Sequence, residues 1–217
     1  MATGDFPTLR ELLDAGPVAL DTETTGLDWH RDRVFGVAMA WQTTGAPPRS
    51  FYGDVREGHT LKWAREILPQ LPQVVNHNIK FDIHMLRGLG IYFKPRAVDC
   101  TMVREAIIDE HSYDYSLDTI ALKYLNEGKV EIWNELADIF GGKPTRAAQI
   151  IHLPDARREL VERYAMGDAD RALRVWHMQE QVIRDQNLQV VAAMEKRLLE
   201  VVVKMEKGGV RVDLDLA

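Results

Sequence analysis

A single cysteine, Cys100, stands among 217 residues. No internal disulfide and no cysteine-based zinc site can form, which fits a reducing cytoplasm. No apolar stretch approaches the roughly 20 residues needed to cross a bilayer. Met1 to Asp5 lack the basic segment and apolar run of a signal peptide. A cytoplasmic chain with no membrane partner is the expectation. Positive charge is also short: 27 Lys and Arg against 33 Asp and Glu give 27 − 33 = −6. Proteins that coat nucleic acid are normally basic, so non-specific phosphate coating is excluded as the main activity, while a localised nucleic-acid site is not. Several catalytic signatures are missing too. None of the seven histidines falls in a His-Glu-x-x-His run, and no Gly-x-Ser-x-Gly occurs. Gly142-Lys143-Pro144-Thr145 departs from a phosphate loop, with Ala137 at the first Gly position and Pro144 at the Ser/Thr position.

What is present is ordinary globular material, 46% hydrophobic and 28% charged. Residues 17–23 and 33–41 read as strands, and Thr43 to Pro48 is a turn signal that pairs the second with 49–53 as a hairpin. Short strands follow at 73–76 and 97–99. Helices are expected over 8–13, 60–68, 79–89, 101–109, 116–125 and 155–181, with a less regular stretch at 128–152. Strands that first meander and then alternate with helices predict an α/β fold, a mixed sheet with helices on both faces. From Leu188 the apolar residues Val191, Met194, Leu198, Val201 and Met205 recur in steps of 3 and 4, a helix with one apolar seam. That seam fits either its own domain or a partner surface. Gly208-Gly209 ends it. Val210 to Asp213 then begins a strand-like alternation with nothing left to pair with, as if cut from a longer protein.

Three acidic clusters carry the chemistry. Asp21 and Glu23 sit two apart at the end of an apolar strand, so both carboxylates point to one face. Two like charges on a buried strand are costly unless a cation neutralises them; the bland alternative is a strand end emerging into solvent, and spacing alone leaves both open. Asp82 lies in the first turn of a helix that follows Val74-Val75-Asn76-His77-Asn78, where an acid often serves only the helix dipole and Asn78 only the N-cap. Tyr164 and Asp168 are i and i+4 on the long helix and share a face, while Asp170 points elsewhere. Gly167 beside them costs about 1 kcal/mol of helix propensity against Ala and allows close approach of another backbone.

In this order, Asp21-Thr22-Glu23, Asn78-Ile79-Lys80-Phe81-Asp82 and Tyr164-Ala165-Met166-Gly167-Asp168 resemble the motifs of the DEDD 3′–5′ exonuclease superfamily, in its tyrosine subclass. The resemblance covers residues 15–180, and Asp99 and Ser116 to Ala121 also look like this family. Leu199 to Asp213 looks like the join between exonuclease and polymerase domains in family A DNA polymerases. The resemblance implies a ribonuclease H-like fold, a five-stranded mixed sheet flanked by helices, over 1–185, and at 186–217 a helix with the truncated start of a polymerase domain. It implies a monomer that trims single-stranded or frayed DNA 3′ ends for a polymerase in the same longer chain. Such hydrolysis uses two divalent ions, Mg²⁺ or Mn²⁺, about 3.5–4 Å apart. By the same resemblance Asp21 bridges both ions, Glu23 and Asp168 hold the ion carrying the attacking water, Asp82 supports the second, and Tyr164 orients the water. An unperturbed Tyr pKa near 10 favours positioning over general-base action. Leu27 matches the family's apolar wedge against the terminal base, and Thr24 and Asn78 its polar contacts; Phe81 stands with them as a substrate-side residue. Trp133 is either a base-stacking aromatic or a core tryptophan. The stretch 139–150 is longer than usual for the family.

Overall fold

The computed structural model describes residues 6–94, 97–128 and 130–213. Its five strands are β1 (Val18–Thr24), β2 (Val34–Trp41), β3 (Arg49–Asp54), β4 (Val74–Asn76) and β5 (Val98–Cys100). They form one sheet in the order β3-β2-β1-β4-β5. β1 runs antiparallel to β2 and parallel to β4, so the sheet is mixed and β1 is central. The helices are α1 (Leu9–Ala15), α2 (Gly58–Ile67), α3 (Ile79–Arg87), α4 (Thr101–Ile108), α5 (Leu117–Leu125), α6 (Trp133–Phe140), α7 (Arg146–Gln149), α8 (Arg158–Asp185) and α9 (Gln189–Gly208).

Alternation along the strands builds two cores. On one face Val18, Leu20, Met39 and Val74 pack with Leu12, Ile79 and Leu86. On the other, the small side chains Ala19, Ala38 and Ala40 let the long α8 lie close, through Leu160, Val161, Ala165 and Leu173. β2 is buried along its whole length, which is why it reads as an unbroken apolar run. Burying a Leu- or Val-sized side chain contributes about 1.5–3 kcal/mol, so these two layers hold β1 firmly at the centre. The acids of β1 inherit that rigidity.

The five strands fall where the sequence places them, within a residue or so. The stretch 128–152 does not stay irregular. It holds α6, α7 and a 3₁₀ segment (Ile150–Asp155). Trp133, Leu136 and Phe140 recur in steps of 3 and 4, and Trp133 and Leu136 are buried in the second core. Of the two readings of the C-terminal seam, packing on its own domain does not hold for most of it. Met194, Leu198, Val201 and Met205 face solvent, while Leu199 and Val203, one turn apart on another face, are buried. Glu206 reaches Lys80, and accepts from His84 at 2.9 Å, which orients α9 on α3. Residues 210–213 form no strand, and 214–217 lie outside the described residues.

Candidate active site

The strand end, the start of α3 and the middle of α8 converge. Ala19 packs under α8, and Asp21 and Glu23 follow it on the same face. The β1–β2 register shifts between Glu23 and Thr24, an irregularity that bends the strand as it leaves the sheet. Asn78, the residue before α3, adopts the left-handed conformation (φ 56°, ψ 41°), which asparagine tolerates better than other residues with a Cβ. Its side chain makes no cap hydrogen bond, so the simple N-cap reading fails. This turn aims the first turn of α3 back at β1. Asp82 Oδ1 accepts from the Thr22 backbone N–H at 3.1 Å and the Thr22 hydroxyl at 2.7 Å. Asn76 Nδ2 donates to Asp82 Oδ2 at 2.8 Å and to Asp21 Oδ1 at 3.1 Å.

The electrostatics mark a cluster of like charge. Burial first, then the charges of Asp82, Glu23 and Asp168, push the Asp21 carboxyl well above the usual carboxylate range. Asp21 therefore lies in the field of the other three expected acids. Burial raises Asp82 from 3.8 to about 7, against the lowering pull of the bonds from Thr22 and Asn76. Tyr164, 4% exposed, is pushed further above its ordinary range by burial, then by Asp168 and Glu23. It stays a neutral phenol, as a positioning role requires and a general base does not. The positive charge of the Arg146 guanidinium pulls the other way.

A family model described as 3′–5′ exonuclease, of the DNA polymerase A type, matches residues 7–183. The chain belongs to this exonuclease family. A DNA polymerase DpoZ of Salmonella phage PMBT28 is 44% identical over 215 residues, covering 98% of this chain and 33% of the relative. A DNA polymerase I of Rhizobium leguminosarum is 28% identical over 240 residues, covering 96% of this chain and 22% of the relative. The chain thus spans a third or less of the length of these curated polymerases. Among solved structures, Brucella melitensis NrnC bound to pGG aligns with a TM-score of 0.67 at 17% identity, covering 96% and 93% of the two chains. The same protein with bound Mg²⁺ aligns at 0.64, with 18% identity and 96% and 94% coverage. These likenesses show the ribonuclease H-like fold.

The remaining expected residues of the exonuclease divide into surface and core. Leu27 is 79% exposed in the turn after β1. Thr24 donates its hydroxyl to the Gly26 carbonyl at 2.8 Å, and Asn78 is exposed. Phe81 is half-buried against the first core. Trp133 is 3% exposed and meets Tyr164 edge-on, ring centroids 5.3 Å apart. It offers no open face to a base, and its place is the core reading: a wall behind Tyr164. Asp170 turns away to Arg174, at 2.8 Å. Gly167 makes room for a side chain rather than a backbone, since a Cβ there would meet Val130 Cγ2 at 2.8 Å. Asp99 is a buried acceptor for Arg104 at 2.8 Å and the Trp176 indole at 3.1 Å.

Three site residues escape sequence reasoning. Asn76 reads as the end of a strand, and only the fold shows its amide between two carboxylates. Arg171, 3% exposed, pairs with Asp168 and reaches Asp118 at 3.1 Å. Its i+3 spacing from Asp168 was the available signal. Arg146 lies in the segment for which no motif exists.

The donors suit divalent magnesium or manganese: hard carboxylate oxygens from four acids, of which Asp168 alone pairs with the buried Arg171. Among the described residues no three acidic, imidazole or thiol side chains already converge as a cage. That is expected of like charges held by protein donors. A carboxylate has about four acceptor positions, so those bonds leave capacity for metal or metal-bound water.

Proposed function

We propose that this chain is a two-metal 3′–5′ exonuclease that hydrolyses single-stranded or frayed DNA 3′ ends and edits for a polymerase domain in the same longer protein. The observation that carries it is the gathering of Asp21, Glu23, Asp82 and Asp168 beside the neutral Tyr164. Asp21 feels the other three and is the natural shared ligand; Glu23 and Asp168, on the α8 side, would complete one ion's set. Asp82, both of whose oxygens accept from protein, would serve the other ion partly through water. When bound, the ions lower the pKa of a water and offset charge developing on the leaving oxygen.

The chain's own groups do the rest. Tyr164 orients the attacking water through its neutral hydroxyl. Arg171 holds Asp168 in place. The exposed Leu27 wedges against the terminal base, and Thr24 and Asn78 offer polar contacts to the strand end. The 44% identity to a phage DNA polymerase favours DNA over RNA as substrate and supports reading residues 186–217 as the join to a polymerase domain. The Mg²⁺ seen in NrnC supports the metal. Rates on DNA and RNA oligonucleotides of one sequence test the substrate; faster RNA cleavage overturns the editing role. Asp168→Ala protein that still degraded single-stranded DNA with Mg²⁺ would overturn the site itself.

A further inference from the structure

The turn between β1 and β2, which carries Leu27, is built to be stiff. Gly26 lets the Asp32 side chain fold against the backbone, since a Cβ there would meet Asp32 Oδ2 at 2.5 Å. The Asp32 carboxylate accepts from the Thr25 hydroxyl at 3.0 Å and from the Asp28 backbone N–H at 2.8 Å. The Arg33 N–H closes the turn on the Thr25 hydroxyl at 3.0 Å.

These bonds fix the shape of the turn, and Trp29 fixes its place. The indole is half-buried against the first core. It stacks on the His84 imidazole of α3, ring centroids 4.2 Å apart and planes within 16°. His30 stacks on the same indole at 3.7 Å. His84 is buried, and its ring is held at the edge: Nε2 lies 2.9 Å from Glu206 Oε2, 122 residues on. The other oxygen of Glu206 takes Lys80. A hydrogen bond at the ring edge sets how an imidazole is oriented, so Glu206 of α9 fixes the ring on which the indole rests.

We propose that Trp29 is a positioning residue: it clamps the Leu27 turn to α3, and Glu206 of α9 sets the clamp. This rests on the exonuclease and wedge readings above. Unstacking a base costs free energy, so an apolar side chain on a yielding turn would be pushed aside rather than part the stack. α3 also carries Asp82, two residues before His84. One helix therefore holds both the expected metal ligand and the anchor of the wedge, which ties the place of the terminal base to that of the reacting phosphate.

The test uses Trp29→Ala, Trp29→Phe, Glu206→Ala, Glu206→Gln, Leu27→Ala and the double variant Trp29→Ala/Leu27→Ala. Arg197→Ala, at an exposed position of α9, is the control. Melting temperatures establish folding, and Trp29→Leu, which keeps apolar bulk without a ring, replaces Trp29→Ala if that variant melts early. The probe is a DNA duplex with 2-aminopurine as the 3′-terminal base, bound in EDTA; its fluorescence rises when the base leaves the stack. The rise seen with wild type should be largely lost in Trp29→Ala and in Leu27→Ala, and reduced in Glu206→Ala. With Mg²⁺, kcat on a paired end should fall about 3- to 10-fold in Trp29→Ala while KM stays within about twofold, as a misplaced substrate end requires. Trp29→Phe keeps a stacking ring and Glu206→Gln keeps the acceptor, so each should recover most of the loss. The double variant should be no slower than Leu27→Ala alone. Hydrogen exchange of the amides in 25–33 should quicken in Trp29→Ala and Glu206→Ala and match wild type in Arg197→Ala. Unchanged exchange in Trp29→Ala or in Glu206→Ala overturns the clamp, as does a kcat loss in Trp29→Ala that simply multiplies with a loss in Leu27→Ala. A full fluorescence rise in Leu27→Ala instead defeats the wedge reading, and wild type without metal-dependent cleavage defeats the exonuclease reading; in both cases the exchange rates still decide the clamp.

Discussion

Asp82→Asn should change the sign of its effect with pH. In the metal-free protein burial raises the Asp82 carboxyl from 3.8 to about 7. The folded state then binds this proton more tightly than the unfolded state. The resulting stability is fully present below about pH 4 and is lost as pH rises through 7. At ~1.4 kcal/mol per pKa unit the full loss is about 4 kcal/mol. Asparagine is neutral throughout and escapes it. It still accepts from Thr22, but sets one amide against another at Asn76, costing about 1–2 kcal/mol. The variant should therefore be about 2–3 kcal/mol more stable than wild type at pH 8 and about 1–2 kcal/mol less stable at pH 4.5. For a chain of this size that is about 4–12 °C in Tm at pH 8. His77 runs the other way. Burial holds its imidazole down at about 4, so its stability is present above pH 6.5 and lost as pH falls through 4. It is common to both proteins and cancels in the difference. Urea melts in EDTA at the two pH values measure the effect. The same sign at both pH values refutes the reasoning, and Mn²⁺ should raise the wild-type Tm at pH 8 far more than that of the variant.

Removing the bridge between two ligands, Asn76→Ala should weaken the Mn²⁺ requirement curve, with half-maximal activity needing about 10- to 100-fold more metal, as loss of a group orienting metal ligands does; an unchanged curve denies Asn76 a role. Trp133→Ala removes a buried core side chain and should cost about 3–5 kcal/mol in urea melts. Trp133→Phe should keep most activity, whereas an equal collapse of oligonucleotide affinity in Trp133→Phe at full stability would restore the base-stacking role. Leu27→Ala should leave Tm within about 1 °C, because the side chain is 79% exposed, while slowing release of the terminal nucleotide several-fold; unchanged turnover denies the wedge.

Much of the fold was legible because its signals are local. β2 is apolar along its length because it is buried on both faces, and α8 carries its period over 28 residues. The expected acids were legible because two alternate on one strand and Tyr164 and Asp168 share a helical face. What stayed hidden depends on distance in sequence. Asn76 sits between Asp21 and Asp82 only once β4 lies beside β1, 55 residues from the first of these. Arg146 acts on Tyr164 electrostatically from a segment that carries no motif. The C-terminal seam left two readings open for a different reason. α9 has apolar residues on more than one face, and periodicity does not say which face finds a partner; Leu199 and Val203 do, and Met194 and Leu198 remain exposed.

The most direct measurement follows a single-stranded DNA labelled at its 3′ end and, separately, at its 5′ end, with Mg²⁺ or with EDTA, for wild type and Asp21→Ala. Immediate release of labelled mononucleotide from the 3′-labelled strand, a ladder of shortening products from the 5′-labelled strand, and neither in EDTA or with Asp21→Ala is the predicted result. Cleavage that begins at the 5′ end, persists in EDTA or survives Asp21→Ala would contradict the metal-dependent 3′–5′ exonuclease built around Asp21.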